Sequence, residues 1–312
     1  MRTSLFTLIL MYSPVVFGQV NFDEKSVQVK PNLELNKIYK YSFTDRNFSI
    51  SVNDTVSKII NQSEKTMELI DKNDFSNKFE FVNGKNESND PDDFYRDFIN
   101  NSDGIKYQFT TNPSGEFLDL LNSAEIEGNL LKITDKLGKQ RKKSEDYKAN
   151  ITHIEDMIKS KTYVPYVFEQ EVHVFNYFNG QYFRLGETYE GKSVQENIFG
   201  FPISSTTNTY LEEINQAKGT YTIVSDQNLS KDDFEKLWEE MAYYMLNDAK
   251  LNLSQEQVKK EIKKYSETVQ LKVSYKNTYN LNSILLKSDY FFSLNIGSKK
   301  TVNHLSINLL ND

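Results

Sequence analysis

The chain contains no cysteine, which excludes disulfide bonds, thiolate metal ligands, a catalytic thiol and a lipid-modified cysteine. Proline and glycine are scarce, at 6 and 12 residues in a chain of 312. No glycine-rich phosphate loop occurs, and no linker rich in glycine, serine or proline divides the chain. Three well-separated histidines argue against a zinc or copper site. We therefore predict no metal and no other cofactor, and expect stability to come from packing and hydrogen bonding.

An excess of positive charge is also lacking. The net charge is -7 and the isoelectric point is about 5.3, whereas non-specific nucleic-acid binding needs a basic surface. The same balance argues against charge-driven adhesion to anionic lipid. No apolar run approaches the length of a membrane-spanning helix. The sequence therefore predicts neither a nucleic-acid partner nor a membrane span.

Signatures of catalysis are absent as well. There is no G-x-S-x-G nucleophile elbow and no H-E-x-x-H zinc motif. Two pairs of adjacent carboxylates occur, Glu212-Glu213 and Glu239-Glu240, but neighbouring side chains point apart on a strand or a helix. We predict no catalytic residue, although a hydrolase that assembles carboxylates from distant strands stays an open alternative.

The N-terminus has the features of a secretory signal peptide. Arg2 supplies a short positive region and residues 5–11 form a short apolar run. Val16 and Gly18 occupy the small-residue positions of a cleavage site, which leaves Gln19 as the mature start. The prediction is a signal peptide over residues 1–18 and a mature chain exported to the periplasm or the extracellular space. Residues 19–36 are polar and are expected to form an irregular leader.

Aromatic residues are plentiful, with 21 Phe and 19 Tyr, and many of them alternate with polar residues. Tyr39, Tyr41 and Phe43 are one such set, and the last third of the chain alternates in the same way. A period of two is typical of an antiparallel sheet with one face buried. Within this pattern, Asn83-Gly84 is predicted to be a turn.

Helical periodicity interrupts the strands twice. In residues 123–178, apolar residues such as Ile126 and Leu130 recur at helical spacing. The last piece of this insert, from Pro165 to Phe178, is predicted to be a helix, with a strand as the alternative because it is rich in β-branched and aromatic residues. A second helical pair is predicted over residues 231–265. The expected fold class is α+β, with a large curved antiparallel sheet resembling a half-barrel. Residues 37–312 are expected to form a single domain, with two packed halves meeting near residue 180 as a variant of that arrangement.

Two groups of apolar side chains are candidates for the wall of a ligand cavity. Phe168 and Phe175 lie in the last piece of the insert, which is apolar enough to be buried between the strand blocks. Trp238, Met241 and Met245 form a stripe on the second helical pair, and methionine adapts to varied ligands. The alternative interpretation of this stripe is an ordinary helix-on-sheet core. The first helices of the insert would cover the cavity and its last piece would plug it.

Two resemblances support the predicted location and fold. Residues 107–121 have the form strand, Asn-Pro-Ser-Gly turn, strand and helix cap, and residues 172–186 read V-H-V-F-N-Y-F-N-G-Q-Y-F-R-L-G. With the closing strands, these segments resemble secreted proteins of unknown function that are common in Bacteroidota. The arrangement of strands and helices is also similar to that of the periplasmic lipoprotein-carrier half-barrels, in which a curved sheet wraps helices around an apolar cavity. The resemblance implies location and fold and no catalytic residue.

Three functions are compatible with these observations. The first is a non-enzymatic binding protein that holds an apolar ligand or a protein segment between the sheet and the helices. The second is a structural or interaction protein of the cell envelope with a packed core, whose partner would be an envelope protein. The third is the carboxylate-dependent hydrolase.

Overall fold

The computed structural model describes residues 19–51, 54–139, 144–161, 163–196, 202–228, 256–257, 270–296 and 299–310. Its strands, in chain order, are β1 Val20–Asn21, β2 Ser26–Gln28, β3 Ile38–Ser51, β4 Asp54–Lys72, β5 Asn77–Ser88, β6 Lys106–Thr111, β7 Phe117–Leu120, β8 Tyr182–Arg184, β9 Thr188–Glu196, β10 Pro202–Asn215, β11 Thr220–Asn228, β12 Gln270–Asn280, β13 Leu285–Ile296 and β14 Lys299–Leu309. The helices are α1 Asp93–Asn100, α2 Ser123–Lys139, α3 Glu145–Lys159 and α4 Gln170–Asn176, and a π-helical segment, Pro165–Glu169, runs directly into α4.

Within the described ranges, eleven strands form one open antiparallel sheet in the order β7-β6-β5-β4-β3-β14-β13-β12-β11-β10-β9. The sheet is curved like a half-barrel, as predicted, and strands from both sides of residue 180 contribute to it. The two halves of the chain meet where β3 pairs with β14, from Ser51 opposite Lys299 to Tyr41 opposite Leu309. Each half is a meander of neighbouring strands, so the first and last long strands of the chain lie side by side at the centre.

The helical insert lies where the sequence predicts it, within residues 123–178. Its last piece is helical rather than a strand, and Gly180, with φ of +83°, follows it in the left-handed region that favours glycine. Aromatic side chains of this piece pack edge-on against aromatic residues of the sheet, with Phe175 5.0 Å from Tyr41 and Phe168 5.1 Å from Tyr107 between ring centroids. The insert is therefore anchored by its most apolar segment.

Two local expectations are wrong. Residues 19–36 are not irregular throughout, since β1 and β2 join β8 in a three-stranded sheet that buries Val27 against the core. The alternation of Val27 and Val29 within a polar stretch was the signal for this strand. Asn83-Gly84 is not a turn, because both residues lie inside β5 beside a register shift in its pairing with β4. A Cβ at Gly84 would lie 2.8 Å from the backbone oxygen of Glu64, so glycine permits close strand approach here.

The second predicted helical pair, residues 231–265, lies outside the described residues except for 256–257, which are helical. Trp238, Met241 and Met245 lie outside them as well. The predicted signal peptide, residues 1–18, is also beyond the described part of the chain.

Candidate functional site

The buried face of the sheet changes from aromatic to polar along its central strands. On β3, the inward side chains are Tyr39, Tyr41 and Phe43, and the same face continues with Asp45 and Asn47. Strict alternation carries all five to one face. The aromatic half packs under the π-helical segment and α4, whereas the polar half cannot be covered by apolar side chains without a desolvation cost. The sheet thus presents two chemically different surfaces to the helices.

The neighbouring strand β4 shows the same change. Met67 and Leu69 are buried in the aromatic half, and Lys65, Ser63 and Asn61 continue the inward face towards the polar half. Cross-strand pairing places Asn61 opposite Asp45 on β3. It also places Lys65 opposite Asn83 on β5. The polar residues of three strands therefore adjoin one another.

A cleft of about 240 Å³ lies between this polar surface on one side and α1 and the helical insert on the other. We call it the lid cleft. The sheet wall is made by Phe43, Asp45, Asn61, Gln62, Ser63, Lys65, Asn83, Asn86 and Leu305, and the helical wall by Phe98, Ile99, Ser102, Leu130, Tyr163, Val167, Phe168 and Glu171. Its volume has room for several waters or a small organic molecule. One wall is rich in amides and charge, and the other is mainly apolar.

A buried ion pair joins the two walls. The ammonium group of Lys65, whose side chain is only 5% exposed, donates to both carboxylate oxygens of Glu171 on α4 at 2.6 Å. The hydroxyl of Tyr107 donates to Glu171 Oε2 at 2.8 Å. Lys65 also lies over the rings of Phe43, at 4.9 Å, and Tyr107, at 5.5 Å, from the ring centroids. Burial, together with the Glu171 charge, raises the pKa of Tyr107 well above its usual value, so this hydroxyl stays protonated and donates.

At the other end of the cleft, Asp45 lies in a cluster of neutral amides. Asn47 Nδ2 donates to its Oδ2 at 3.0 Å, and Asn303 Nδ2 donates to its Oδ1 at 2.9 Å. Burial raises the pKa of the Asp45 carboxyl, and the charge of Glu171 acts in the same direction, while the hydrogen bonds from Asn47, Asn303 and Asn61 oppose the rise. Asp45 is therefore a half-buried acid that accepts hydrogen bonds from neutral amides. No cation is hydrogen-bonded to it among the described residues.

Asn83 contributes an unused acceptor to the cleft wall. Its side chain is buried, with 6% of the residue exposed, and its Oδ1 has no hydrogen-bond partner among the described residues. Buried polar atoms are almost always hydrogen-bonded, because an unpaired one costs about 1–3 kcal/mol. This oxygen is enclosed rather than open to the cleft, so it is an unsatisfied acceptor of the described core beside the cleft wall.

A second, smaller void lies in the aromatic half, lined by residues that include Tyr41, Phe79 and Phe175. Its volume of about 20 Å³ holds roughly one water molecule. The aromatic half of the described core is therefore packed, and the larger space lies at its polar boundary.

The two described residues of the predicted cavity wall, Phe168 and Phe175, line different spaces. Phe168 and Phe175 are buried, as the lid-and-plug hypothesis requires, but only Phe168 lines the lid cleft, and Phe175 lines the small void. Asp45, Lys65 and Glu171 were missed. The signal that could have indicated Asp45 and Lys65 is their position in the inward register of each strand, next to an apolar inward residue, Phe43 on β3 and Met67 on β4.

None of the described histidines lines the lid cleft. Within the described part of the chain, no group of three or more His, Asp and Glu side chains is arranged to hold a metal ion. His304 bonds to Asp289 at 3.0 Å, both on the face of the sheet opposite the cleft. His173 is exposed beside Phe117.

Comparisons with known proteins give no family assignment. No protein-family model matches the chain, and no curated protein is similar to it in sequence. Within the described ranges, none of the helices combines the length and the apolar character that a bilayer crossing requires.

Proposed function

We propose that the protein is an exported, non-enzymatic binding protein and that the lid cleft is its ligand site. The observation that carries the proposal is the pairing of a polar sheet wall with an apolar helical wall around about 240 Å³ of space. Ligand sites are commonly concave and largely apolar, with a few placed polar groups that fix orientation. Export is supported by the N-terminal sequence features alone.

The position of the helical insert supports a binding role. Phe168 lies on a π-helical segment, a geometry that is rare and is often found at functional sites. The same segment continues into α4, which carries Glu171 to Lys65. A movement of this one segment would change both the apolar wall and the ion pair, which suits a lid over a bound molecule.

A binding role fits the two carboxylates of the cleft better than hydrolysis does. Glu171 accepts hydrogen bonds from Lys65 on both oxygens, so it is poorly placed to deliver or remove a proton. Asp45 is engaged by amide donors on both oxygens. Groups held in this way orient and neutralise a ligand more readily than they exchange protons with it.

Native mass spectrometry of the full chain, exported and purified without denaturation, tests the proposal. We expect an additional bound mass that organic extraction releases. A Ser63→Phe variant should lose this mass while keeping the wild-type melting temperature within a few degrees, because the new ring occupies the cleft. If the wild type carries no ligand and binds no small amphipathic probe, the cleft is not a ligand site and the proposal fails.

A further inference from the structure

Two carboxylates, Asp45 and Glu171, are the charged acceptors of the lid cleft. Asn83 Oδ1 is buried and unpartnered among the described residues. Asp45 brings two carboxylate oxygens whose protein donors are neutral amides. Glu171 brings two more. A ligand group that contacts these carboxylates must therefore be a hydrogen-bond donor.

The described walls of the cleft carry an excess of negative charge. Its described walls contain three ionisable charges, from Asp45, Lys65 and Glu171. The ammonium nitrogen of Lys65 lies 2.6 Å from each carboxylate oxygen of Glu171, so the charges of these two residues cancel. The charge of Asp45 is left without a protein cation at hydrogen-bonding distance among the described residues. The cleft thus has one negative charge to be matched by its occupant.

The separation of these groups sets the size of the occupant. Asp45 lies opposite Asn61, and Asn83 lies opposite Lys65, four residues further along the same strand. At about 3.3 Å per residue along the strand and about 4.8 Å for each of two strand spacings across the sheet, the two ends of the polar wall are about 16 Å apart. The helical wall along this length includes Phe98, Tyr163 and Phe168. Aromatic rings suit an apolar body and also tolerate a nearby cation.

We propose that the ligand of the lid cleft is a small amphipathic primary amine, with its ammonium group on Asp45 and its apolar body against the helical wall. This inference rests on the proposed binding function and names its ligand class. The ammonium group supplies three donors and one positive charge, which match the acceptors and the unmatched charge described above.

Three probes of nearly equal size and different head groups test the inference by calorimetric titration at neutral pH. They are 2-phenylethylamine, 2-phenylethanol and phenylacetate. The amine should bind at least about tenfold more tightly than the carboxylate, with the alcohol between them, since charge-assisted hydrogen bonds are the stronger ones. Asp45→Asn should reduce amine affinity by about tenfold and change alcohol affinity by less than threefold. Asp289→Asn, on the opposite face, is the matched control and should change neither.

The ranking on the wild-type protein is informative even where Asp45→Asn folds poorly. Equal binding of all three probes, or tighter binding of phenylacetate, would overturn the amine assignment and leave the binding function standing. Loss of amine selectivity in Asp289→Asn as well would also overturn it. Absence of binding by every probe, together with absence of a native ligand, would defeat the binding function itself.

Discussion

Replacement of Lys65 by methionine should destabilise the fold by removing the only cation that touches Glu171 among the described residues. Methionine has a similar length and keeps the apolar contacts of the lysine stem against Phe43 and Tyr107. The Glu171 carboxylate would retain the hydrogen bond from Tyr107 but lose two others. The cost is therefore that of a charge left without its partner, rather than of lost volume.

The magnitude follows from the burial of the pair. Removing one partner of a fully buried ion pair costs about 3–5 kcal/mol. The Lys65 side chain is 5% exposed but that of Glu171 is 20% exposed, so water offsets part of the cost. We expect a loss of about 2–4 kcal/mol in the free energy of unfolding for Lys65→Met. In a chain of this size, that is a fall in melting temperature of roughly 5 °C.

Urea denaturation and thermal melting, both followed by circular dichroism, measure the effect. Lys106→Met is the matched control, because Lys106 pairs with Glu80 at 3.1 Å on the surface and should contribute less than about 1 kcal/mol. The double variant Lys65→Met with Glu171→Leu should regain most of the loss, since it removes the unpaired charge. If Lys65→Met matches the control, or if the double variant is less stable than the single one, the burial argument is refuted.

Three further predictions concern single positions in or beside the cleft. Because the folded-state pKa of Asp45 is raised from 3.8, the folded state binds its proton more tightly, so this group's contribution to stability falls as pH rises through the raised pKa. Urea titrations from pH 3 to 7 should show this slope in the wild type and its loss in Asp45→Asn; equal slopes would contradict it. Gly84→Ala should lower the free energy of unfolding by about 1–3 kcal/mol through its clash with the Glu64 backbone. The control Gly128→Ala, in an open position on α2, should stabilise by up to about 1 kcal/mol. Similar shifts in melting temperature for the two variants would refute the close approach at Gly84. Phe168→Ala should cost about 3–5 kcal/mol and enlarge the cleft; a loss under 1 kcal/mol would show that Phe168 does not seal it.

Periodicity explains why much of the fold could be predicted from the sequence. Alternation such as Tyr39, Tyr41 and Phe43 defines a strand with one buried face, and the recurrence of Ile126 and Leu130 defines a helix. Both are local patterns. The pairing of β3 with β14 is not local, because it joins residues about 260 positions apart and leaves no signature in either strand. The same limit applies to β2, whose three residues gain stability only by pairing with β8.

The candidate site was predicted less well, and the reason is physical. An apolar cavity predicts a wall of aromatic residues such as Phe175, but aromatic side chains fill space, and the described core closes around them. Space remains where polar inward residues meet the helical wall. Lys65 and Glu171 are 106 residues apart, and only the folded structure brings them within 2.6 Å. The change from apolar to polar along the inward faces of β3 and β4 is the local sign of this boundary.

A crystal structure of the full chain soaked with 2-phenylethylamine tests the central claim most directly. Electron density for the probe in the lid cleft, with its nitrogen within about 3 Å of an Asp45 carboxylate oxygen and its ring against Phe168, is the predicted result. An empty cleft at saturating probe, or a cleft filled by side chains of the protein itself, would contradict the account.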